Sequence, residues 1–77
     1  MSEQLGLPRV TRESLARLEE HVRSRLGGRV QELKVVFMED GLVLRGYARA
    51  YYAKQLAQHA LMETTGLPIR ANEIEVS

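Results

Sequence analysis

Cysteine is absent from the sequence, proline occurs only twice, and 11 basic residues nearly balance 10 acidic ones. The lack of cysteine excludes disulfide scaffolds and cysteine-ligated zinc sites. No apolar run approaches the roughly 20 residues that span a membrane, and residues 1–9 lack the apolar core of a signal peptide. These absences favour a cytoplasmic protein without a membrane segment.

What remains is the composition of one small globular domain. The 77 residues are 44% hydrophobic and 27% charged, which is too apolar for a disordered chain. We predict a flexible N-terminal lead-in at residues 1–9 and a single domain at residues 10–77. A domain of this size buries only about 60% of the surface that its unfolded chain exposes, so a partner that adds burial would stabilise it.

The first predicted element is a helix that begins after Thr11 and ends before Gly27-Gly28. Threonine is a preferred N-cap residue, and glycine commonly ends a helix. An apolar stripe with helical spacing lies between these two signals. Its members are Leu15, Leu18, Val22 and Leu26.

A β-hairpin is predicted next, because Asp40-Gly41 separates two apolar runs and suits the positive φ angles of a type I′ turn. A two-residue loop at this pair would set Val35 opposite Gly46 and Phe37 opposite Leu44. One face of this hairpin is apolar and carries Leu33, Val35, Phe37, Leu42 and Leu44. The opposite face mixes apolar and basic side chains, namely Lys34, Val36, Met38, Val43, Arg45 and Tyr47.

A second helix is predicted from about residue 49 to residue 65, followed by a strand near residues 69–76. Gly66 would end the helix in a left-handed conformation. Gly46 would let this helix approach the sheet closely, because glycine has no side chain. The buried stripe of the helix is predicted to contain Ala53, Leu56, Ala57, Ala60, Leu61 and Thr64.

The element order αββαβ predicts an α+β fold. Two helices with apolar stripes both need a sheet face, so we expect a two-layer sandwich with both helices on one face of a three-stranded mixed sheet. A right-handed crossover through the second helix could set the third strand beside the first, in the spatial order 2-1-3.

The sequence resembles BON domains, small bacterial αββαβ modules, from about Thr11 to Val76. The resemblance is carried by Leu44-Arg45-Gly46, by the spaced alanines of the second helix, by Gly66-Leu67 and by Asn72-Glu73-Ile74-Glu75-Val76. It implies a role in attachment to phospholipid surfaces or in protein–protein assembly. KH-like domains and the ring-building domains of secretion systems share this element order and are the alternative folds.

No arrangement of residues typical of catalysis was found, so we predict a non-enzyme without a cofactor. His59 and Glu63 have the i, i+4 spacing of two metal ligands, but two ligands on an exposed helix are a weak site. No phosphate loop, dinucleotide motif or catalytic triad is present. The near balance of charges argues against nucleic-acid binding, which usually needs a basic excess.

Two surfaces are candidates for binding. The first is the mixed face of the hairpin, formed by Lys34, Val36, Met38, Val43, Arg45 and Tyr47. Its exposed apolar side chains are typical of an interface with a protein partner or with a second copy of the chain. Tyrosines beside basic residues suit the headgroup layer of a membrane. The candidate lipid-facing residues are Arg49, Tyr51, Tyr52 and Lys54.

Overall fold

A computed structural model describes residues 10–77, so the predicted lead-in at residues 1–9 lies outside the described residues. The elements are helix α1 (Arg12–Leu26), strands β1 (Val30–Met38) and β2 (Gly41–Ala48), helix α2 (Tyr51–Thr64) and strand β3 (Ile69–Val76). This order and the three-stranded mixed sheet confirm the predicted α+β class.

One hydrophobic core joins both helices to one face of the sheet. Helix α1 packs against α2 and β1, and α2 also packs on β3 and β2. The alanines of α2 let its backbone lie close to the strands. The largest fully buried side chains are Leu26, Leu42, Leu44, Leu61, Ile74, Val22 and Val35.

Helix α1 begins and ends where the sequence predicts. The Thr11 hydroxyl accepts a hydrogen bond from the Ser14 backbone N–H at 3.0 Å, and the Ser14 hydroxyl accepts one from the Thr11 N–H at 2.8 Å. Two N–H groups that the helix itself leaves without partners are thereby satisfied. Gly27 ends the helix with a left-handed φ of 58°.

The hairpin turn lies one residue earlier than predicted. Glu39 and Asp40 carry the positive φ angles, 52° and 70°, and form the two-residue turn. Met38 therefore pairs with Gly41, and Val35 pairs with Leu44 instead of Gly46. The strand register moves by two residues, which leaves every side chain on its predicted face because side chains alternate with period two.

Gly41 is kept out of the turn by β3. A Cβ atom at this position would overlap the side chain of Arg70 and lie 3.1 Å from the carbonyl oxygen of Pro68. Arg70 passes over Gly41 and forms an ion pair with Glu39 at 3.0 Å. The Leu42 N–H, next to Gly41, donates to the Pro68 carbonyl at 2.8 Å. A tertiary contact thus overrides the local preference of Asp-Gly for the turn.

A β-bulge in β1 was not predicted. Pairing with β2 shifts between Gln31 and Lys34, and Glu32 has a φ of 55°. The extra residue allows Val30 and Leu33, three positions apart, to face the core together. Both are buried.

Gly46 lies opposite this bulge. Its φ is 152°, and an added Cβ would come within 2.9 Å of Val30 Cγ1 and 3.0 Å of the Gln31 carbonyl oxygen. The predicted close approach of the second helix at Gly46 is therefore wrong, because strand β1 occupies that space.

The strand order is β1-β2-β3, with β2 in the centre and parallel to β3. The predicted order, with the third strand beside the first, is wrong. Helix α2 returns the chain to the side of β2 that β1 leaves free. The outer edge of β1 is instead hydrogen-bonded to side chains of helix α1. The apolar residues on both faces of β2, including Val43, are typical of a central strand.

Helix α2 ends differently from the prediction. Its C-cap residue, Thr65, is extended, with φ −138° and ψ 150°, and the Thr65 hydroxyl accepts a hydrogen bond from the Leu67 N–H at 3.1 Å. Gly66 has no positive φ, so it does not supply a left-handed stop. Thr64 is exposed and does not belong to the buried stripe.

Candidate interaction surfaces

The sheet face opposite the helices, here called the outer face, brings together all six residues of the predicted interaction surface. Strand pairing arranges the outer face in three rows across the sheet. The apolar row is Val36, Val43 and Ala71; the charged row is Lys34, Arg45 and Glu73; the third row is Gln31, Tyr47 and Glu75. Met38 lies beyond the apolar row, at the turn end of β1.

The apolar row is more buried than the sequence suggests. Val43 is only 5% exposed, because β1 and β3 flank it on both sides. Val36 is half-buried. The exposed apolar surface is instead concentrated at Met38, which is 43% exposed, and at Tyr47, which is 50% exposed. Val43 was predicted to belong to an exposed apolar patch, and its burial removes it from the exposed part of that patch.

The charged row contains an ion pair within the sheet. Arg45 Nε lies 3.1 Å from Glu73 Oε1, and Arg45 Nη2 lies 3.9 Å from the sulfur of Met38. Both charged side chains are about half exposed, so the pair adds little to stability. Within residues 10–77, Lys34 forms no ion pair.

A shallow depression of about 370 Å³ lies on the outer face above Gly46. The Gly46 residue contributes to its lining, whereas a Cβ atom added at Gly46 would lie against Val30. Three carboxylates and two cations surround it together with Tyr47, so neither sign of charge dominates. The charged residues are Glu32, Lys34, Arg45, Glu73 and Glu75.

A second surface is an open groove of about 500 Å³ at the N-terminal end of α2. Arg29, Arg49, Tyr47 and Tyr52 line it, and none of its described lining residues is acidic. The predicted lipid-facing residues Arg49 and Tyr52 thus meet here, whereas Tyr51 and Lys54 do not line the groove. Tyr51 is exposed on the first turn of α2, and Lys54 is half-buried.

Arg29 was missed by the sequence analysis. It follows Gly28 between α1 and β1, and no local pattern indicates which face it joins. Its guanidinium donates to the Leu26 carbonyl at 3.2 Å, which holds it at the end of α1.

The outer edge of β1 is bonded by side chains of α1. Glu19 Oε2 accepts a hydrogen bond from the Val35 N–H at 3.0 Å, and Arg23 Nη2 lies 3.5 Å from the Leu33 carbonyl oxygen. Glu19 and Arg23 also pair with each other at 3.6 Å. Backbone groups at a sheet edge invite pairing with another chain, and these contacts occupy two of them.

Asn72, singled out in the sequence, joins β3 to α2. Its side-chain amide donates to the Lys54 carbonyl at 2.9 Å and lies 3.3 Å from Gln58 Oε1. Its side-chain oxygen accepts from the Ile74 N–H at 3.3 Å. The residue therefore has a structural role in the described fold.

The two histidines do not form a metal centre with the described residues. His59 is exposed, and Glu63 pairs with Arg25 at 2.6 Å. Residues 10–77 contain no group of three histidine, aspartate or glutamate side chains that could hold a metal ion. His21 Nε2 is buried without a hydrogen-bond partner among these residues.

No family model, curated protein sequence or solved structure matches the chain. Neither of the helices in residues 10–77 is long and apolar enough to cross a membrane. The cytoplasmic location and the absence of catalysis stay predictions.

Proposed function

We propose that the chain is a non-catalytic interaction module that binds a protein partner through the outer face. The observation that carries the proposal is that both helices lie on the opposite face, so no element within residues 10–77 covers the outer face. Met38 and Tyr47 supply exposed apolar surface there, and aromatic and methionine side chains are enriched in protein interfaces.

The charges of the outer face favour a protein over a lipid bilayer. Lys34 and Arg45 lie on β1 and β2, whereas Glu73 and Glu75 lie on β3. An anionic membrane would attract the first pair and repel the second. A protein surface can present both signs of charge in matching positions, which fixes orientation as well as partner.

Membership of the BON family is part of this proposal. It is supported by the αββαβ order and by the match of Leu44-Arg45-Gly46 and Asn72–Val76 to the family pattern. The positions of Gly46 opposite the bulge and of Asn72 against α2 give these matches a structural reason.

Site-specific photo-crosslinking in the native cell tests the proposal. A photoreactive amino acid that replaces Met38 should give a crosslinked product of discrete mass. The same amino acid in place of Arg17, which is exposed on α1, should not. The captured protein, identified by mass spectrometry and purified, should shift amide NMR signals of the outer face. Equal crosslinking from both positions, or shifts confined to the helices, would contradict the proposal.

A phospholipid surface is the second candidate, and the groove at α2 favours it. Arg29 and Arg49 beside Tyr47 and Tyr52, without an acidic lining residue, suit an anionic headgroup. Co-sedimentation with phosphatidylglycerol vesicles should decrease with salt, and replacement of both arginines by alanine should abolish it. Arg17→Ala is the control, and no binding to these vesicles at low salt removes this candidate.

A further inference from the structure

We infer that the partner of the outer face is a second copy of this chain, related to the first by a twofold axis that runs along β2. The inference rests on the proposed function and names its partner. The inference follows from two observations: the sign of the charged residue on each of the three strands, and the row in which strand pairing places these residues.

In the charged row, the outer face is positive on one side and negative on the other. Lys34 lies on the edge strand β1, and Glu73 lies on the opposite edge strand β3. Arg45 lies between them on β2. In the strand register, Arg45 is the direct neighbour of Lys34 on one side and of Glu73 on the other. The three residues therefore lie at one level along the strands.

A twofold axis along β2 exchanges the two sides of the sheet and leaves the level of each row unchanged. With two copies face to face, Lys34 of each copy lies opposite Glu73 of the other. The apolar row meets the apolar row, so Val36 faces Ala71 of the second copy. A symmetric interface of this kind uses the same surface on both copies and forms each contact twice.

The alternative axis, perpendicular to the strands, does not give this match. When it passes through the charged row, Lys34 faces Lys34 and Glu73 faces Glu73. When it passes between rows, Val36 faces Lys34, which buries an apolar side chain against a charge. Of these three arrangements, the axis along β2 is the one that sets opposite charges opposite each other in register.

The size of the face predicts a weak dimer. Three strands of about eight residues cover roughly 14 by 26 Å, so the interface falls below the standard size of a stable complex. Glu32, on the bulge of β1, would approach Glu75 of the second copy, and this like-charge pair opposes association. Arg45 meets its own equivalent at the axis, but each Arg45 is already paired with Glu73.

Charge reversal tests the arrangement. Lys34→Glu and Glu73→Lys should each weaken self-association about tenfold or more, because each sets like charges opposite each other twice. An equimolar mixture of the two variants should associate again as a heterodimer, since every reversed residue then faces its opposite. Analytical ultracentrifugation from micromolar to millimolar protein measures all three samples.

Two further variants complete the design. The double variant Lys34→Glu with Glu73→Lys should self-associate more tightly than either single variant but less tightly than the original chain, because Arg45 at the axis loses its pair with Glu73. Circular dichroism checks that each variant is folded. Arg17→Glu, a reversal on the exposed side of α1, should leave association unchanged. Both target side chains are exposed, so the fold should tolerate the changes.

The possible outcomes separate this inference from the proposed function. Rescue in the mixture supports the dimer and its axis. A chain that stays monomeric at millimolar concentration overturns the dimer, while a heterologous protein crosslinked from Met38 would keep the proposed function. Self-association that neither single reversal weakens, or that the mixture does not restore, overturns the axis along β2.

Discussion

The side chain of Arg70 lies directly over Gly41, in the space that a Cβ atom at position 41 would occupy. The aliphatic part of Arg70 crosses the first residue of β2, and its guanidinium reaches Glu39 in the turn at 3.0 Å. One side chain of β3 thereby joins the hairpin turn to the parallel strand. The absence of a side chain at Gly41 is what makes this path open.

Gly41→Ala should therefore destabilise the fold by about 1–3 kcal/mol, the usual cost of adding atoms to a packed position. The backbone at Gly41 has no positive φ, so the cost comes from the contact with Arg70 and Pro68 and not from backbone strain. Urea unfolding followed by circular dichroism measures the change. The cost should fall when Arg70→Ala is also present, and simple additivity of the two substitutions would contradict the contact.

The turn itself gives a stabilising prediction. Asp40 has a φ of 70° and occupies the second position of the turn, where glycine adopts such angles without steric cost. Asp40→Gly should raise the free energy of unfolding by about 0.5–1 kcal/mol. Asp40→Val is the matched control. A β-branched residue disfavours a positive φ, so this substitution should lower the free energy of unfolding. A loss of stability with glycine would show that the turn lies elsewhere.

Much of this fold follows from sequence periodicity, and the errors have a common physical origin. The Thr11 cap, the Gly27 stop and the assignment of each β1–β2 side chain to a face depend on local pattern, and the structure confirms them. The turn position, the bulge at Glu32 and the strand order depend on contacts between distant segments. Arg70 at Gly41 and Val30 at Gly46 are contacts that no local pattern contains.

The outer face likewise has some features that follow from local sequence pattern and others that depend on contacts between distant segments. Period-two alternation is sufficient to place Lys34, Val36 and Arg45 on one face. The burial of Val43 and the pairing of Arg45 with Glu73 require knowledge that β3 lies beside β2, which the expected strand order missed. The apolar residues on both faces of β2 were the available signal that it is the central strand.

Val43→Glu should destabilise the protein strongly, by about 2 kcal/mol or more, although Val43 lies on the outer face. At 5% exposure between two flanking strands, a carboxylate there would lose most of its contact with water. Tyr47→Glu on the same strand, at a half-exposed position, should cost less than about 1 kcal/mol. Thermal unfolding of both variants measures the difference, and equal costs would mean that Val43 is accessible. A loss of self-association in Val43→Glu alone would therefore not identify an interface.

The edge of β1 gives the last prediction, because Glu19 of α1 accepts a hydrogen bond from the Val35 N–H at 3.0 Å. Glu19→Ala removes this acceptor and should cost about 1–2 kcal/mol, the range for leaving a buried donor without a partner. The neighbouring Glu20 also pairs with Arg23, at 3.1 Å, but it is exposed and makes no bond to β1 in the described contacts. Glu20→Ala should therefore change stability by less than about 0.5 kcal/mol.

Hydrogen exchange at the Val35 amide separates this edge bond from a general loss of stability. In Glu19→Ala the Val35 amide should exchange faster than its neighbours on β1, whereas Glu19→Gln, which keeps a side-chain oxygen, should restore much of the protection. A uniform increase in exchange across the sheet would mean that Glu19 acts only through the packing of α1. Selective loss at Val35 would establish that α1 holds the edge strand through this side chain.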